Sequence, residues 1–154
     1  MRPIQKILCA VDLSEHSILV AEYAVTMAKA FNAEVNVVYA APALTQYVGL
    51  HVSASSIESF VGEILAGAEK SMQDFVTEYF AGVKAKGKVL NGYAAEEILK
   101  QAKEGEADVI IMGTHGRKGI DRILFGSVAE KIVKSSPIPV MTVRPQKQDM
   151  MYLP

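Results

Sequence analysis

The sequence predicts an α/β fold, a doubly wound, open, parallel five-stranded sheet with helices on both faces. Short, almost wholly apolar runs recur along the chain, and such runs are typical of strands buried on both faces. Between them lie segments with three- and four-residue apolar spacing, which indicates amphipathic helices. The 154 residues, half of them hydrophobic, suffice for one compact domain and are too few for two ordinary ones.

The first strand and helix follow directly from this pattern. Residues 6–11 form a buried run and predict a strand. Ser14 is suited to capping the helix that follows. That helix carries its apolar stripe at Ile18, Ala21, Val25, Ala28 and Phe31. Residues 34–40 predict the second strand, and residues 41–54, which lack any period, predict a long surface loop of the kind that is often functional.

The middle of the chain predicts a long helix, an edge strand and a shorter helix. Residues 55–58 have the Ser-x-x-Glu spacing of a capping box, where the long helix would begin. Its apolar side would comprise Ile57, Phe60, Ile64, Ala68, Phe75 and Tyr79. Lysines interrupt residues 83–91, as expected of an edge strand that avoids further pairing. Residues 94–103 predict a helix that ends at Gly105.

The last third completes an alternation of strands and helices. Residues 108–112 form a third buried run, residues 127–135 predict a helix, and residues 137–144 predict the last strand. Strict alternation implies a parallel sheet with right-handed crossovers, and we expect the Rossmann-like strand order 3-2-1-4-5. Residues 1–145 would form the single domain, and residues 146–154 a C-terminal tail without period.

The composition excludes several classes of function. Sixteen basic against seventeen acidic residues give a net charge of −1, so we expect neither nucleic acid nor an anionic membrane as a partner. The single Cys9 excludes an internal disulfide and a multi-cysteine metal site, and its place in an apolar run indicates a core residue. Because no signal-peptide pattern or membrane-length apolar run is present, we expect a cytoplasmic protein.

Asp12 and Gly113 follow the first and fourth strands, which would be neighbours where the strand order reverses. Ligands of such sheets bind at this point, outside the carboxyl ends of the strands. From Gly113 the chain has the spacing Gly-x2-Gly-x9-Gly-Ser, which ends at Gly126 and Ser127. Glycines allow the main chain to approach an anion closely, and a helix N-terminus favours phosphate.

The loop inside this motif is basic, with Arg117, Lys118 and Arg122 available to offset triphosphate charge. The motif therefore predicts a phosphate site. The alternative is an ordinary glycine turn in which Ser127 only caps the helix and the basic side chains are solvated, because short glycine motifs give frequent false positives.

Two blocks of this sequence resemble the universal stress protein family. They are ADVIIMGTHGRKGIDRILFGSVAEKIVKSSPIPVMTVR, residues 107–144, and KILCAVDLSEHS, residues 6–17. The resemblance runs from residue 6 to residue 144, is weakest over residues 41–54, and is absent after residue 145. The spacing Gly-x2-Gly-x9-Gly-Ser is similar to that of the family branch that binds ATP.

The resemblance implies a role for each matching position. Asp12 would bind the ribose hydroxyls, and the main chain of Val38 would meet the adenine edge. Met112 and Gly113 would line the ribose and the α-phosphate. The phosphates would be held by the Ser127 hydroxyl and by the main-chain N–H groups of Gly116, Gly126, Ser127 and Val128. The basic side chains of Arg117 and Lys118 would lie beside them.

The implied function is that of a regulatory module that binds ATP, ADP or AMP with Mg²⁺ or Mn²⁺ and hydrolyses ATP slowly at most. Fast hydrolysis needs a residue that positions water and a firm carboxylate site for the metal, and Asp121 is only a weak candidate for the latter. We therefore predict no catalytic residues and no dedicated metal ligands. Two alternatives stay open, a phosphotransferase that uses the same site and an interaction protein with a vestigial site. The protein partner is unknown.

The last strand predicts self-association. At the edge of the sheet, Val140–Val143 is rich in β-branched residues and carries no charge before Arg144, and such edges tend to pair with another chain. The resemblance implies an antiparallel homodimer through this strand.

Other candidate residues predict no separate site. His16 and His51 are expected at the surface, and His115 lies in the glycine loop without a second ligand at metal spacing. Residues 82–88 match the start of a P-loop, but Val89 stands where Ser or Thr must hold Mg²⁺.

Overall fold

The computed structural model describes residues 2–41, 53–115 and 126–144, in which five strands alternate with four helices. The elements are β1 (Lys6–Ala10), α1 (His16–Phe31), β2 (Glu34–Ala41), α2 (Ala54–Tyr79), β3 (Ala85–Asn91), α3 (Ala94–Glu104), β4 (Val109–Gly113), α4 (Ser127–Ser135) and β5 (Val140–Val143). Neighbouring strands are all parallel, in the order β3-β2-β1-β4-β5. The predicted fold class and strand order are confirmed.

The two faces of the sheet bury separate cores, because successive side chains of each strand point to opposite faces. Ile7, Cys9, Val35, Val37 and Ile111 pack against α1 and α2. The other face carries Leu8, Ala10, Val38, Ile110 and Met112, which pack against α3 and α4. Both faces are covered, so the strands read as continuous apolar runs in the sequence.

Two predicted helix caps are wrong. The hydroxyl of Ser14 does not cap α1 but donates to Asp12 Oδ1, and Glu15 holds the N-cap position without a side-chain bond. The Ser-x-x-Glu capping box at residues 55–58 is also absent. Ser53 is the N-cap of α2, and its Oγ accepts the Ser56 N–H at 3.4 Å. Both errors arise because several hydroxyls lie near each helix start, and the local bonds of Ser14 to Asp12 and of Ser53 to Ser56 decide which of them caps a helix.

The predicted apolar stripes of α1 and α2 are buried or half-buried except at one residue in each helix. Phe31 is 51% exposed, because α1 ends there and Asn32 turns the chain in the left-handed conformation (φ 53°). Phe60, in the first half of α2, is 49% exposed. The buried residues of the two helices are Ser17, Val20, Ala21, Ala24 and Ala28 on α1, and Val61, Met72 and Phe75 on α2.

The edge positions of β3 and β5 are as predicted. The end of α3 at Gly105 is confirmed too, although the left-handed residue is Glu106 (φ 53°) rather than the glycine. The predicted loop 41–54 is shorter at both ends, since Ala41 belongs to β2 and Ala54 to α2. Residues 42–52 of that loop and the tail 146–154 lie outside the described residues.

Candidate functional site

The carboxyl ends of β1 and β4 meet at the centre of the sheet, where the strand order reverses. Ala10 of β1 is the register partner of Met112 of β4. Asp12 therefore follows β1 at the same edge at which Gly113 ends β4. Parallel α/β sheets bind ligands at this switch point, so the candidate site lies where the sequence placed Asp12 and Gly113.

Hydrogen bonds fix the carboxylate of Asp12 on one side. Its Oδ1 accepts from the Ser14 N–H at 2.9 Å, the Ser14 hydroxyl at 2.5 Å and the Ser17 hydroxyl at 2.8 Å. The main-chain N–H of Asp12 donates in turn to Ser17 Oγ at 3.1 Å. Leu13, between them, has a φ of 60°, a value that is uncommon for a residue other than glycine. The turn thus holds one carboxylate oxygen with three donors.

The second oxygen of Asp12 has no partner. Within the described residues, two buried side-chain polar atoms lack a hydrogen bond, Asp12 Oδ2 and His16 Nδ1. Asp12 lies in the connection between β1 and α1, and His16 is the first residue of α1. A buried acceptor without a donor costs about 1–3 kcal/mol, and such a group in a native structure calls for an explanation. A ligand that donates a hydrogen bond at this edge would supply one.

The N-terminus of α4 is fixed to the end of β4. The Gly126 N–H donates to the Thr114 carbonyl at 2.7 Å, and the Glu130 N–H is the first to bond within the helix, to the Gly126 carbonyl at 3.0 Å. The N–H groups of Ser127, Val128 and Ala129 therefore precede the first intrahelical bond and are available to a ligand. Gly126 and Val128 are half-buried and Ser127 is exposed. This end of α4 is suited to an anion, as predicted.

Space beside Gly113 is limited. A β-carbon there would lie 3.4 Å from the His115 carbonyl oxygen and 3.5 Å from Val20 Cγ2. The Met112 side chain is buried in the core, so Met112 can offer a ligand only its main chain. His115 itself is half-buried, with Nδ1 2.8 Å from the Thr114 hydroxyl oxygen.

The predicted role of Val38 does not fit its position. Its carbonyl accepts the Val11 N–H at 2.9 Å, and its side chain is buried, so the sheet already occupies this main chain. The register explains the error, because β2 extends beyond β1 and ends at Ala41. Main-chain groups that face β1 recur at every second residue. Ala40 is thus the next residue that faces this side, beyond the last β1 pair.

Part of the predicted site lies outside the described residues. Gly116, Arg117, Lys118, Asp121 and Arg122 belong to the segment that the structure leaves undescribed, as does His51. Their predicted roles stay predictions. The expectation that His16 is a surface residue is wrong for its Nδ1 atom, which is buried.

Sequence reasoning missed Ser17. It lies on the buried face of α1 and is 2% exposed. A signal was present, because Ser17 falls on the helical stripe of Val20, Ala21, Ala24 and Ala28, where a polar residue is unusual. A buried hydroxyl on such a stripe needs a hydrogen-bond partner, and Asp12 is that partner.

Two other sequence features behave as predicted. Cys9 is fully buried, and this burial raises the pKa of its thiol to about 12, so it is a core residue rather than a nucleophile. The P-loop resemblance at residues 82–88 is misleading, because its second half lies within β3 instead of leading into a helix.

A groove of about 680 Å³ lies at the opposite edge of the sheet, beside the start of β1 and β2. Two of its lysines are already paired, Lys84 with Glu34 at 2.7 Å and Lys6 with Glu106, outside the groove, at 3.0 Å. It is therefore a weaker candidate than the switch point. Over residues 2–41, 53–115 and 126–144, no group of three potential metal ligands is present, and no helix there is long and apolar enough to cross a membrane.

Comparison with known proteins gives one family. The sequence profile described as the universal stress protein family matches residues 3–144. The chain is 36% identical over 147 residues to a universal stress protein of Methanocaldococcus jannaschii, a match that covers 94% of this chain and 85% of the relative.

Solved structures share the fold. Another protein of the same organism matches with a TM-score of 0.82 at 26% identity, over 95% of this chain and 99% of that one. A universal stress protein in complex with cAMP matches with a TM-score of 0.69 at 21% identity, over 92% of this chain and 98% of that one. One from Archaeoglobus fulgidus in complex with dAMP has a TM-score of 0.56 at 22% identity, over the same shares. The last two show the fold alone.

Proposed function

This chain belongs to the universal stress protein family, and from that membership we propose that it binds an adenine nucleotide, ATP above all, at the carboxyl edge of β1 and β4. The two complexes among its structural neighbours support the choice of ligand class. They contain cAMP and dAMP, which differ in the sugar and share the adenine base and one phosphate. Specificity for ATP is the finer part of the proposal and rests on the glycine motif.

The buried, unpartnered Oδ2 of Asp12 carries the proposal. A ribose hydroxyl donates a hydrogen bond, which is what this oxygen lacks. The bond is charge-assisted, because the acceptor is a carboxylate, and such bonds are about twice as strong as neutral ones. Asp12 is therefore the proposed anchor of the sugar, in agreement with the role that the family resemblance implies.

The phosphates fit the other half of the edge. The N–H groups of Ser127 and Val128 precede the first intrahelical bond of α4, and the helix dipole adds partial positive charge there. Met112 and Gly113 would line the ribose and α-phosphate with their main chains. Gly116 and Arg117 are assigned to the phosphates from the family resemblance alone.

We assign the adenine contact to the main chain of Ala40 rather than Val38. Val38 already gives its carbonyl to Val11, whereas Ala40 lies beyond the last residue of β1 that pairs with β2. At Ala40, β1 no longer pairs with β2, so the main-chain groups that face this side have no strand opposite them. The edge of an adenine base in the plane of the sheet could form hydrogen bonds with these groups.

Regulatory binding, with slow hydrolysis at most, fits the described residues better than efficient catalysis. Asp12 Oδ1 is already occupied by three protein donors, which disfavours it as a metal ligand. No three-ligand metal group occurs in the part of the chain that the structure describes. A divalent ion, Mg²⁺ or Mn²⁺, would accordingly arrive with the nucleotide and be held chiefly by its phosphates.

A homodimer through β5 completes the proposal. The strand is at the edge of the sheet, and Val140, Met141 and Thr142 are partly exposed. An antiparallel copy across a two-fold axis would satisfy its outward main-chain groups.

Calorimetric titration of ATP with Mg²⁺ tests the site. We expect Asp12→Ala to weaken binding roughly tenfold or more, since about 1.4 kcal/mol is tenfold in affinity. Gly113→Val should weaken binding by a similar factor. A β-carbon at this position would already touch the His115 carbonyl oxygen, at 3.4 Å, so the two further methyl groups of valine would crowd this end of β4.

Asp74→Ala is the matched control, since it removes the charge of an exposed carboxylate on α2 and should leave affinity unchanged.

Mass spectrometry of denatured protein, purified without added nucleotide, should detect a bound adenine nucleotide. If wild type and both site variants bind ATP alike, the site is wrong. If none binds, and no nucleotide copurifies, the function is wrong. Turnover of labelled ATP at many cycles per second would contradict the regulatory role.

A further inference from the structure

The buried hydroxyl of Ser17 makes two hydrogen bonds, both to Asp12. It donates to Oδ1 at 2.8 Å and accepts the main-chain N–H of Asp12 at 3.1 Å. Ser17 is 2% exposed and belongs to α1, so a rigid element holds it. These two bonds fix both the main chain and the carboxylate of Asp12 relative to the helix.

We propose that Ser17 is a positioning residue that makes the site select ribose over 2′-deoxyribose. This inference rests on the proposed nucleotide site and adds to it the chemistry of the sugar. Ser17 does not touch the ligand. It acts through Asp12, by determining which carboxylate oxygen the ligand meets.

The selection follows from the unequal state of the two oxygens. An ionised carboxylate has about four acceptor positions, two on each oxygen. Oδ1 accepts three hydrogen bonds from Ser14 and Ser17, one more than its two ordinary positions, and so has no room for a ligand donor, whereas Oδ2 is buried and accepts none. Asp12 therefore offers two acceptor positions on a single oxygen.

A ribose fills both positions, because its vicinal 2′ and 3′ hydroxyls supply two donors on one side of the ring. A 2′-deoxyribose supplies one donor and leaves the other position of this buried oxygen empty. Sites built around a ligand hydroxyl reject analogues that lack it, since the polar groups of the site are then left unpaired. We expect the wild-type protein to bind ATP roughly tenfold to a hundredfold more tightly than 2′-deoxy-ATP.

Ser17 rather than Ser14 controls this orientation. One of the two Ser14 bonds comes from its main-chain N–H and persists in any variant except proline. Ser17 binds through its side chain alone. Without its hydroxyl, the carboxylate loses its link to α1 and keeps only the two Ser14 donors. It is then freer to rotate about the Cβ–Cγ bond, so that both oxygens can share donors from the turn and from the ligand.

The experiment measures affinities for ATP and 2′-deoxy-ATP, each with Mg²⁺, in wild type and variants. In Ser17→Ala the ratio of the two affinities should fall to about twofold, mainly through weaker ATP binding. Ser17→Thr keeps the hydroxyl and should keep most of the ratio, even where its added methyl group lowers stability. Thr26→Ala is the matched control, because it removes a hydroxyl from the same helix that bonds only to the Glu22 carbonyl, at 2.8 Å, and should leave the ratio unchanged.

Thermal unfolding of each variant separates loss of fold from loss of selection, because a purely structural role would weaken both nucleotides equally. Equal wild-type affinity for the two nucleotides overturns this inference and leaves the proposed function standing. An unchanged ratio in Ser17→Ala overturns the role of Ser17. A wild-type protein that binds neither nucleotide overturns the proposed function and this inference with it.

Discussion

The main-chain N–H of Gly126 donates to the carbonyl oxygen of Thr114 at 2.7 Å, and the N–H of Thr114 donates to the Val143 carbonyl at 2.9 Å. These two bonds connect the start of α4 with the ends of β4 and β5. Thr114 is 4% exposed, so the connection is buried. The free N–H groups at the start of α4 are therefore held in position relative to the sheet.

Gly126→Val should weaken nucleotide binding strongly while it lowers the thermal stability of the protein only a little. A β-carbon at Gly126 would lie 3.3 Å from the same Thr114 carbonyl oxygen, and a branched side chain would push the start of α4 away from β4. We expect nucleotide affinity to fall about tenfold, since 1.4 kcal/mol is enough for that, and the unfolding midpoint to fall by only about 2–4 °C per kcal/mol lost. Calorimetric titration and thermal unfolding measure the two effects. Unchanged affinity would show that the N-terminus of α4 does not bind the phosphates.

Thr142→Pro should yield a monomer. The carbonyl oxygens of Pro139 and Val143 accept hydrogen bonds from the N–H groups of Ile110, in β4, and of Thr114, which follows β4. Because main-chain groups alternate in direction along a strand, those of Val140 and Thr142 point outward. Proline at Thr142 removes an outward N–H without breaking a bond to β4, and edge strands tolerate it. Sedimentation at micromolar concentration compares it with Thr142→Val, which keeps the N–H and should remain dimeric. A dimeric proline variant, or a monomeric wild type, contradicts pairing through β5.

The strands were predictable from the sequence because burial on both faces leaves little choice of residue. The run Ile7, Leu8, Cys9 sends alternate side chains to two different cores, and each core requires an apolar residue. Helix starts were less predictable. Ser14 and Ser53 both have the hydroxyl that a cap requires, but the first donates to Asp12 two residues before it and only the second caps a helix. The Ser14 prediction was wrong because it left out the competing acceptor at Asp12.

The site was predictable in type and less so in detail. Asp12 stood out because a carboxylate that follows a buried strand is unusual. The predicted adenine contact at Val38 does not fit the sheet, because the Val38 carbonyl already accepts the Val11 N–H. The fit depends on where β1 stops pairing with β2, and strand register is set by tertiary structure. Ser17 was missed because its place on the buried stripe of α1 indicates only that its hydroxyl needs a partner, and that partner, Asp12, lies outside the helix.

Asp108→Ala should lose stability in a pH-dependent way. Hydrogen bonds from the main-chain N–H groups of Gln5 and Lys6, at 2.8 and 2.9 Å, hold the pKa of the Asp108 carboxyl below its usual 3.8. A carboxyl with a lowered pKa stabilises the fold fully above its usual pKa, and the contribution is lost as the pH falls through the folded-state value. We expect a loss of about 1–2 kcal/mol at pH 7 that shrinks towards pH 3.

Urea unfolding at the two pH values measures this difference. Asp74→Ala, which removes an exposed carboxylate on α2, is the control and should change stability little at either pH. An equal loss at both pH values in Asp108→Ala would mean that the side chain contributes by packing and not by its charge.

Replacement of Gly67 and of Gly82 by alanine should change the stability of the protein in opposite directions. At Gly67 in α2 and at Gly82 in the turn after it, a β-carbon would meet no atom within 4 Å, so sterics beyond the main chain play no part. Gly82 has a φ of +82°, which alanine adopts only with strain, whereas Gly67 is in a helix. We expect Gly67→Ala to stabilise the protein by about 1 kcal/mol, through helix propensity and reduced freedom of the unfolded chain. Gly82→Ala should destabilise it by about 1 kcal/mol or more. Urea unfolding of both variants beside wild type measures the two signs, and a loss of stability in Gly67→Ala would show that this part of α2 is not helical in solution.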